Sequence, residues 1–200
     1  MTTDIEAQDT LDMERLAKGH DAALNDLMAR HAEKLFHYLI RQLQNEEDAA
    51  DLAQETFARV YQNRDRFKPG NKFTTWLYTI ATNLARDRFR WRTRHPQVSL
   101  EAENEVTGGS LGETMVENSP SPSEHLQQAE RVGIIRAAIA RLPEDLRTAL
   151  LLSEYENLSH AEIAAIENCT PKAVESRVAR ARQQLNARLE QFPEFKVQSK

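Results

Sequence analysis

The sequence predicts an all-α protein: two small helical domains joined by a flexible acidic linker, the second containing a helix-turn-helix. Three observations predict this fold class. Apolar residues recur at three- and four-residue spacing over long stretches that are nearly free of Gly and Pro. No stretch of the sequence alternates as a half-buried strand would. Residues 96–123 hold three of the six glycines and three of the seven prolines without a sustained apolar period, which is typical of a linker.

We therefore divide the chain into residues 1–95, a linker at 96–125, and residues 126–200. The net charge of −5 conceals a division by segment. The net charge is −7 over residues 1–60, +7 over 61–95, −6 over 96–125 and +1 over 126–200. Such segregation predicts one surface that meets a polyanion and another that meets a different partner.

Composition excludes several classes of protein. The only cysteine is Cys169, so neither an intramolecular disulfide nor a Cys-rich zinc site can form. No window approaches 18 uninterrupted apolar residues, so no membrane insertion is expected. The N-terminus has no basic segment followed by an apolar one, so it predicts no secretory signal, and we expect a cytoplasmic protein.

The first domain begins with one or two helices that carry an apolar stripe from Leu24 to Leu43. Asn45, followed by Asp48, is a candidate N-cap for the next helix. That helix buries Ala49, Ala53, Phe57, Val60 and Tyr61. Its opposite face carries Asp51, Gln54 and Glu55 at positions i, i+3 and i+4. Two like charges at i, i+4 mildly destabilise a helix, so we expect this face to bind a basic partner.

A turn at residues 68–71 precedes a helix that begins at Thr74 or Thr75 and buries Leu77, Ile80, Ala81 and Leu84. The basic excess concentrates where this helix ends, in the run RDRFRWRTRH at 86–95. Arginines alternate there with aromatic residues, and Phe73, Trp76 and Asn83 lie just upstream. Bases of a single strand stack on aromatic rings while arginines follow the phosphates, so the cluster predicts single-stranded nucleic-acid binding.

The second domain contains the sharpest local signal, at residues 159–189. Ser159 and Glu162 form a capping box, and Asn168 stands where a tight turn needs a left-handed residue. Thr170 and Pro171 then start a second helix, as N-cap and first helical residue. Its buried stripe is Val174, Val178, Ala181, Leu185 and Leu189. The exposed face carries Lys172, Ser176, Arg177, Arg180 and Arg182, which suits the major groove of duplex DNA.

Together these residues resemble bacterial sigma factors of RNA polymerase, of the extracytoplasmic-function (ECF) type. The resemblance covers residues 20–95 and 126–190. DLAQETF at 51–57 resembles sigma region 2.2, and FTTWLYTIATNLARDRFR at 73–90 resembles regions 2.3 and 2.4. LPEDLRTALLLSEYENLSHAEIA at 142–164 and TPKAVESRVARAR at 170–182 resemble region 4.

The resemblance implies three sets of contact residues and no catalytic residue, metal or cofactor. Core RNA polymerase would be bound by Asp51, Gln54 and Glu55. The −10 element of promoter DNA would be captured and melted by Lys68, Asn71, Lys72, Phe73, Trp76, Asn83, Arg86 and Arg90. The −35 element would be read by Lys172, Glu175, Ser176, Arg177 and Arg180. An anti-sigma factor is also implied as a partner.

Two positions depart from the family's pattern. Glu175 stands where relatives often carry a basic or polar residue, so we expect an altered promoter preference. Asn168 stands where relatives usually have Gly, and this change should be structurally neutral because Asn tolerates the left-handed region.

Two other classes of function compete with this one. A conventional helix-turn-helix regulator would bind duplex DNA without polymerase, but it leaves the arginine–aromatic cluster and the acidic face unexplained. A hydrolase or metalloenzyme would draw on His31, His37 or His160, with Glu33 four residues before His37. No HExxH, GxSxG or Walker motif accompanies these residues, so the sequence predicts a protein that is not an enzyme.

Overall fold

The computed structural model describes residues 2–68, 70–95, 122–192 and 195. These residues form α-helices and no strand, which confirms the all-α prediction for the described part of the chain. We call residues 2–95 the N-terminal half and residues 122–192 the C-terminal half. The helices are α1 (Thr2–Ala17), α2 (Ala22–Leu43), α3 (Glu46–Gln62), α4 (Phe73–Arg94), α5 (Pro122–Ala140), α6 (Glu144–Glu154), α7 (His160–Glu167) and α8 (Pro171–Leu189), with a 3-10 turn at Arg64–Arg66. Most of the predicted linker, 96–121, lies outside the described residues, and α5 begins within the rest of it.

The N-terminal half is centred on α2, which packs against α1, α3 and α4. Its buried stripe includes Leu27, Leu35 and Leu39, all fully buried. The predicted N-cap of α3 is confirmed, because the Asn45 side chain accepts a hydrogen bond from the Asp48 backbone N–H at 2.7 Å. A cap of this kind stabilises a helix by about 1 kcal/mol.

The predicted turn before α4 is also confirmed. The Asn71 N–H donates to the Lys68 carbonyl at 3.1 Å, and Gly70 has a φ of +93°, a value that side chains strongly disfavour. Helix α4 begins at Phe73, slightly earlier than predicted. It buries Leu77, Ala81 and Leu84 as expected, and Ile80 is half-buried.

The helix-turn-helix of the C-terminal half has the local structure that the sequence predicts. Ser159 and Glu162 form a reciprocal capping box at the start of α7. Asn168 ends α7 with a φ of 52°. Thr170 caps α8 by accepting from the Ala173 N–H at 3.2 Å. Cys169, in the turn between the two helices, is half-buried against the core.

Helix α1 was not predicted, and both ion pairs and apolar contacts join it to the rest of the N-terminal half. Met13 and Leu16 are buried against the core, but so are Asp9 and Asp12. Arg30 of α2 donates to Asp9 at 2.9 Å and to Asp12 at 2.6 Å. Hydrogen bonds to arginine lower the pKa of Asp12 despite burial, so its carboxylate stays charged at neutral pH. We call these ion pairs the α1 lock.

The two halves pack against each other in this structure. Helix α4 contacts α7, and α2 contacts α5 and α6. One buried apolar cluster runs across both halves, from Leu35 and Leu77 on one side to Leu151 and Ile163 on the other. This contact brings Arg86, predicted to bind the −10 element, and Arg177, predicted to bind the −35 element, to the same carboxylate, Glu167.

Candidate functional site

The acidic face of α3 points away from the core. Asp51 and Gln54 are exposed, and Glu55 is half-buried. Glu55 accepts from Arg59, one turn further along α3, at 2.6 Å. An exposed i, i+4 pair contributes only about 0.3–0.5 kcal/mol, so an outside cation can displace it. The face therefore presents carboxylates and an amide, and it can receive a basic or hydrogen-bonding surface.

The turn before α4 presents cations and an amide at its surface. Lys68, Asn71 and Lys72 are exposed. The Lys72 ammonium lies 2.7 Å from Glu6 of α1 and 3.0 Å from Glu162 of α7. Hydrogen bonds to these two carboxylates raise the pKa of Lys72. One residue predicted to contact DNA is thus held by both halves of the chain.

The aromatic residues beside this turn are more buried than a stacking platform would be. Phe73 is only 2% exposed and belongs to the core. Trp76 is half-buried, with its ring centroid 5.4 Å from that of Phe67 and 6.5 Å from that of Phe73. These three rings pack together beside the turn, and Trp76 is the more exposed of the two predicted aromatic contact residues, Phe73 and Trp76.

The predicted DNA-binding residues along α4 differ in how they are engaged. Asn83 and Arg90 are exposed. Arg86 is half-buried, and its guanidinium lies 3.3 Å from Glu144 and 2.8 Å from Glu167, both in the C-terminal half. Arg90 makes only an exposed pair with Asp87, at 3.6 Å, whereas Arg86 is paired across the contact between the halves.

Two other arginines of the basic run make ion pairs within the N-terminal half. Arg88 and Arg92 both pair with Asp48, the residue that receives the Asn45 cap on α3. These pairs join the end of α4 to the start of α3. Sequence reasoning missed them because Asp48 is forty residues away from Arg88 in the chain.

The exposed face of α8 carries most of the predicted −35 residues. Lys172, Glu175, Ser176 and Arg180 are exposed. Arg177 is half-buried and lies 2.7 Å from Glu167 and 3.6 Å from Asp145. The charge of this arginine is therefore engaged within the protein.

Glu167, at the end of α7, is the residue that sequence reasoning missed. Its side chain is fully buried, and its two carboxylate oxygens accept separately from Arg86 of α4 and Arg177 of α8. Burial raises its pKa, and the two arginines oppose that shift. A single carboxylate thereby joins one predicted −10 residue to one predicted −35 residue.

A second carboxyl group of the C-terminal half also lies against the N-terminal half. The Tyr78 hydroxyl of α4 donates to Glu156, in the loop between α6 and α7. Burial raises the pKa of Glu156, while Tyr78, Arg41 and Lys34 act to lower it. Burial and the neighbouring Glu156 carboxylate raise the pKa of Tyr78.

The histidines that an enzyme would use do not form a site. His31 lies 2.9 Å from both carboxylate oxygens of Asp9, beside the α1 lock. His37 lies 3.9 Å from Glu33 on the same helix. Within the described ranges, no three His, Cys, Asp or Glu side chains converge as metal ligands would. None of the helices described here combines the length and apolar content needed to cross a membrane.

Two protein families match the chain, one in each half. The family described as Sigma-70 region 2 matches residues 27–95. The family described as Sigma-70, region 4 matches residues 133–185. The first range includes α3 and α4 with their acidic and basic faces, and the second includes the helix-turn-helix. Helix α1 precedes both ranges.

Curated relatives match along most of the chain. The ECF RNA polymerase sigma-E factor of Escherichia coli strain K12 is 37% identical over 182 residues, which covers 89% of this chain and 92% of that protein. The same factor of Salmonella typhimurium strain LT2 matches to the same extent. The RNA polymerase sigma-H factor of Pseudomonas aeruginosa is 32% identical over 187 residues, covering 92% of this chain and 94% of that protein.

Two solved structures are similar in fold. CnrH, solved in complex with the cytosolic domain of CnrY, superposes with a TM-score of 0.68 at 26% identity, covering 92% of this chain and 99% of that one. The sigma factor RpoE of Bartonella quintana, solved with the anti-sigma factor NepR, superposes with a TM-score of 0.63 at 25% identity. That match covers 83% of this chain and 96% of that one.

Proposed function

The chain belongs to the sigma-70 family as an ECF sigma factor that directs promoter-specific transcription, and we propose that its two halves divide this work between them. Residues 1–95 bind core RNA polymerase and open the −10 element. Residues 126–200 read the −35 element, and residues 96–125 connect the two. The protein acts in the cytoplasm as a dissociable subunit with no catalytic activity of its own.

Core polymerase is bound by the acidic face of α3. The support for this role is the outward direction of Asp51, Gln54 and Glu55, together with the match of this helix to Sigma-70 region 2. Charged groups at an interface guide encounter and fix register more than they add affinity. The exposed Asp51 supplies that steering, and Glu55 exchanges its weak pair with Arg59 for a partner on polymerase.

The −10 element is captured at the turn before α4. Extruding a base from the duplex costs a few kcal/mol, which pocket contacts must offset. Lys68, Asn71 and Lys72 are placed to meet the phosphates and the edge of an extruded base. The half-buried Trp76 is the aromatic residue that a base can reach, and the buried Phe73 supports the turn. Asn83, Arg86 and Arg90 continue the surface along α4.

The −35 element is read by α8 in the major groove. Lys172 and Ser176 lie near its N-terminus, where a recognition helix approaches base edges. Arg177 and Arg180 supply guanidinium groups for guanine or phosphate, and Glu175 can accept from the amino group of cytosine. Changing Arg180 to Ala should relax preference at one −35 position if it reads a base, and weaken all promoters alike if it contacts phosphate.

An anti-sigma factor is the remaining proposed partner. RpoE was solved with an anti-sigma factor and CnrH with the cytosolic domain of CnrY, and both superpose along most of this chain. We propose that this chain is held by a partner of the same kind, which covers the surfaces that polymerase and DNA would use.

The observation that carries the proposal is the co-occurrence of both families in chain order, each over the half whose surface suits it. The competing function, a helix-turn-helix regulator that works without polymerase, accounts for the C-terminal half alone. Run-off transcription with bacterial core polymerase over a promoter library separates the two. We expect initiation only when both the chain and core polymerase are present.

A charge reversal tests the polymerase surface directly. Asp51→Lys combined with Glu55→Lys should weaken binding to core polymerase about tenfold or more, because like charges would then face each other. Asp21→Lys combined with Glu33→Lys makes the same charge change at exposed positions on and beside α2. Binding is measured by titrating labelled chain with core polymerase, and helix content by circular dichroism. Equal binding by both folded variants would exclude the α3 face.

A further inference from the structure

The C-terminal end of α4 carries an exposed aromatic pair that belongs to none of the proposed contact sets. The Trp91 side chain is 44% exposed. The imidazole of His95, one turn later, is stacked on the indole, with ring centroids 4.9 Å apart and planes inclined by 22°. Tryptophan is highly buried on average in proteins, so an indole held at the surface indicates a place where a partner binds.

The Trp91 ring is restrained before any ligand binds. His95 Nδ1 lies 3.0 Å from the Trp91 carbonyl oxygen. A carbonyl oxygen only accepts, so Nδ1 carries the hydrogen of this bond. The backbone N–H of His95 donates to the same carbonyl, where α4 ends. An aromatic ring whose orientation is already restricted loses little conformational entropy when another ring stacks on it.

Exposed cations flank the pair on the same helix. Arg90 and Arg94 are both exposed. The Arg94 Nε atom donates to the Arg90 carbonyl at 3.2 Å, which holds its side chain along the end of the helix. The exposed pair of Arg90 with Asp87, at 3.6 Å, is weak enough for a phosphate to displace. Proteins that bind single strands combine aromatic rings with cations in this way.

The pair also lies within reach of the proposed −10 surface. Trp76, Asn83 and Arg90 follow one another at seven-residue spacing, so they form a row along α4. Trp91 lies fifteen residues after Trp76, which places it about 22 Å further along the helix and about 60° around it. At about 3.4 Å per stacked base, a strand of about six nucleotides joins the two indoles.

We propose that Trp91, held by His95, is a second stacking site for an unpaired base, at the opposite end of α4 from the turn. The inference deepens the proposed capture of the −10 strand and rests on it. A strand held at the turn runs along the row of exposed residues. One of its bases stacks on the pair while Arg90 and Arg94 meet the neighbouring phosphates.

The fluorescence of Trp91 reports the stacking directly. The chain has two tryptophans, so Trp91 is the only one left in a Trp76→Phe variant. This variant is titrated at low salt with an oligothymidylate of about 16 nucleotides, because stacking on aromatic residues is tolerant of sequence. We expect the emission to be quenched to a plateau. Trp91 is exposed in the free chain, so an emission that stays constant would overturn the proposal.

Substitution measures the contribution of the ring to binding. Trp91→Ala should bind the labelled oligothymidylate about tenfold more weakly than the wild type, and Trp91→Phe should recover most of the loss. The matched control is Phe192→Ala, which removes a 38% exposed aromatic side chain from the C-terminal half. Helix content is followed by circular dichroism. Equal binding by Trp91→Ala and Phe192→Ala would show that the pair only stabilises the end of α4.

Salt dependence distinguishes stacking from charge. Arg94→Gln should reduce the salt slope of single-strand binding by about 0.7, because one phosphate contact is lost. Trp91→Ala should weaken binding at every salt concentration and leave the slope unchanged, because stacking releases no counterions. If Trp91→Ala lowers the slope as Arg94→Gln does, the loss comes from displaced cations and the stacking site is refuted.

Polymerase binding separates this site from a protein contact and from the proposed function. Trp91→Ala should bind core polymerase as the wild type does. If it binds core polymerase more weakly and the oligothymidylate normally, Trp91 faces protein and the proposal is wrong. Failure of the wild type to initiate with core polymerase would refute the sigma-factor roles, whereas the quenching of Trp91 in the free chain would still report the stacking site.

Discussion

The α1 lock and the contact between the halves are both built from buried charges, but they differ in how completely those charges are satisfied. In the lock, Asp9 and Asp12 share Arg30, and arginine hydrogen bonds lower the pKa of Asp12. Between the halves, burial raises the pKa of Glu156 and leaves atoms of Gln42 and Arg147 unpaired. The difference indicates that the buried charges of the lock are more completely satisfied than the polar groups between the halves.

The largest effect should come from breaking the lock. Asp12→Asn leaves Arg30 with one carboxylate fewer in a buried setting, and we expect it to lower the free energy of unfolding by about 2–4 kcal/mol. Asp26 also pairs with an arginine, at 3.3 Å, but its side chain is 52% exposed. Asp26→Asn should therefore change stability by less than about 0.5 kcal/mol. Urea unfolding measures both, and equal effects would show that burial of the lock contributes nothing.

Acidification should act on the two contacts in opposite directions. Glu156 faces Tyr78, Arg41 and Lys34, and burial between the halves raises its pKa above the ordinary value of 4.5. If the halves parted, its pKa would return toward 4.5. The packed halves therefore hold the proton more tightly, and packing is favoured as pH falls from 7 toward 4.5.

The pKa of Asp12 is shifted the other way. Its contribution to stability is present above its ordinary value of 3.8 and is lost only as pH falls below it. The pKa of Glu162 is also lowered, by its hydrogen bonds to Ser159 and Lys72. Its pairing with Lys72 across the halves is therefore lost only as pH falls below 4.5. Scattering between pH 7 and 5 should show the free chain becoming more compact, and Glu156→Gln should reduce this change. A chain that expands over this range would contradict the assignment.

The smallest effect should come from a pair within one half. Glu154 and Arg182 join α6 to α8, and both side chains are at least 40% exposed. Glu154→Gln should change the unfolding free energy by less than about 0.5 kcal/mol and leave the radius of gyration unchanged. If this substitution opened the chain, surface charge in general would explain the opening, and the specific contacts between the halves would not.

Features predicted from the sequence are those fixed by neighbours in the chain. The Asn45 cap, the Ser159–Glu162 capping box and the left-handed Asn168 depend on side chains within a few residues, so residue type and spacing determine them. Lys172, Ser176, Arg180 and Arg182 are exposed on α8 as the sequence predicts, whereas Arg177 is half-buried and paired with Glu167. Their contacts with DNA remain a prediction.

Features that the sequence did not reveal depend on distant residues or on buried charge. Apolar periodicity does not predict helix α1, because its buried face combines Met13 and Leu16 with Asp9 and Asp12. Aspartate is rarely buried in proteins, so the pattern assigns these two positions to an exposed face. Glu167 looked like an ordinary last residue of a helix. Its role appears only when Arg86, 81 residues earlier in the chain, is brought beside it.

The most direct test of the central claim is a distance between the two halves, measured in the free chain and in complex with core polymerase. Spin labels at Glu33→Cys and Gln183→Cys lie on exposed positions in opposite halves, with Cys169→Ala removing the native thiol. Pulsed dipolar spectroscopy should give one short distance in the free chain. Binding to core polymerase should lengthen it by tens of ångströms, because the promoter elements lie about 85 Å apart. An unchanged distance on binding would contradict the account, since the two halves would then stay packed together on polymerase.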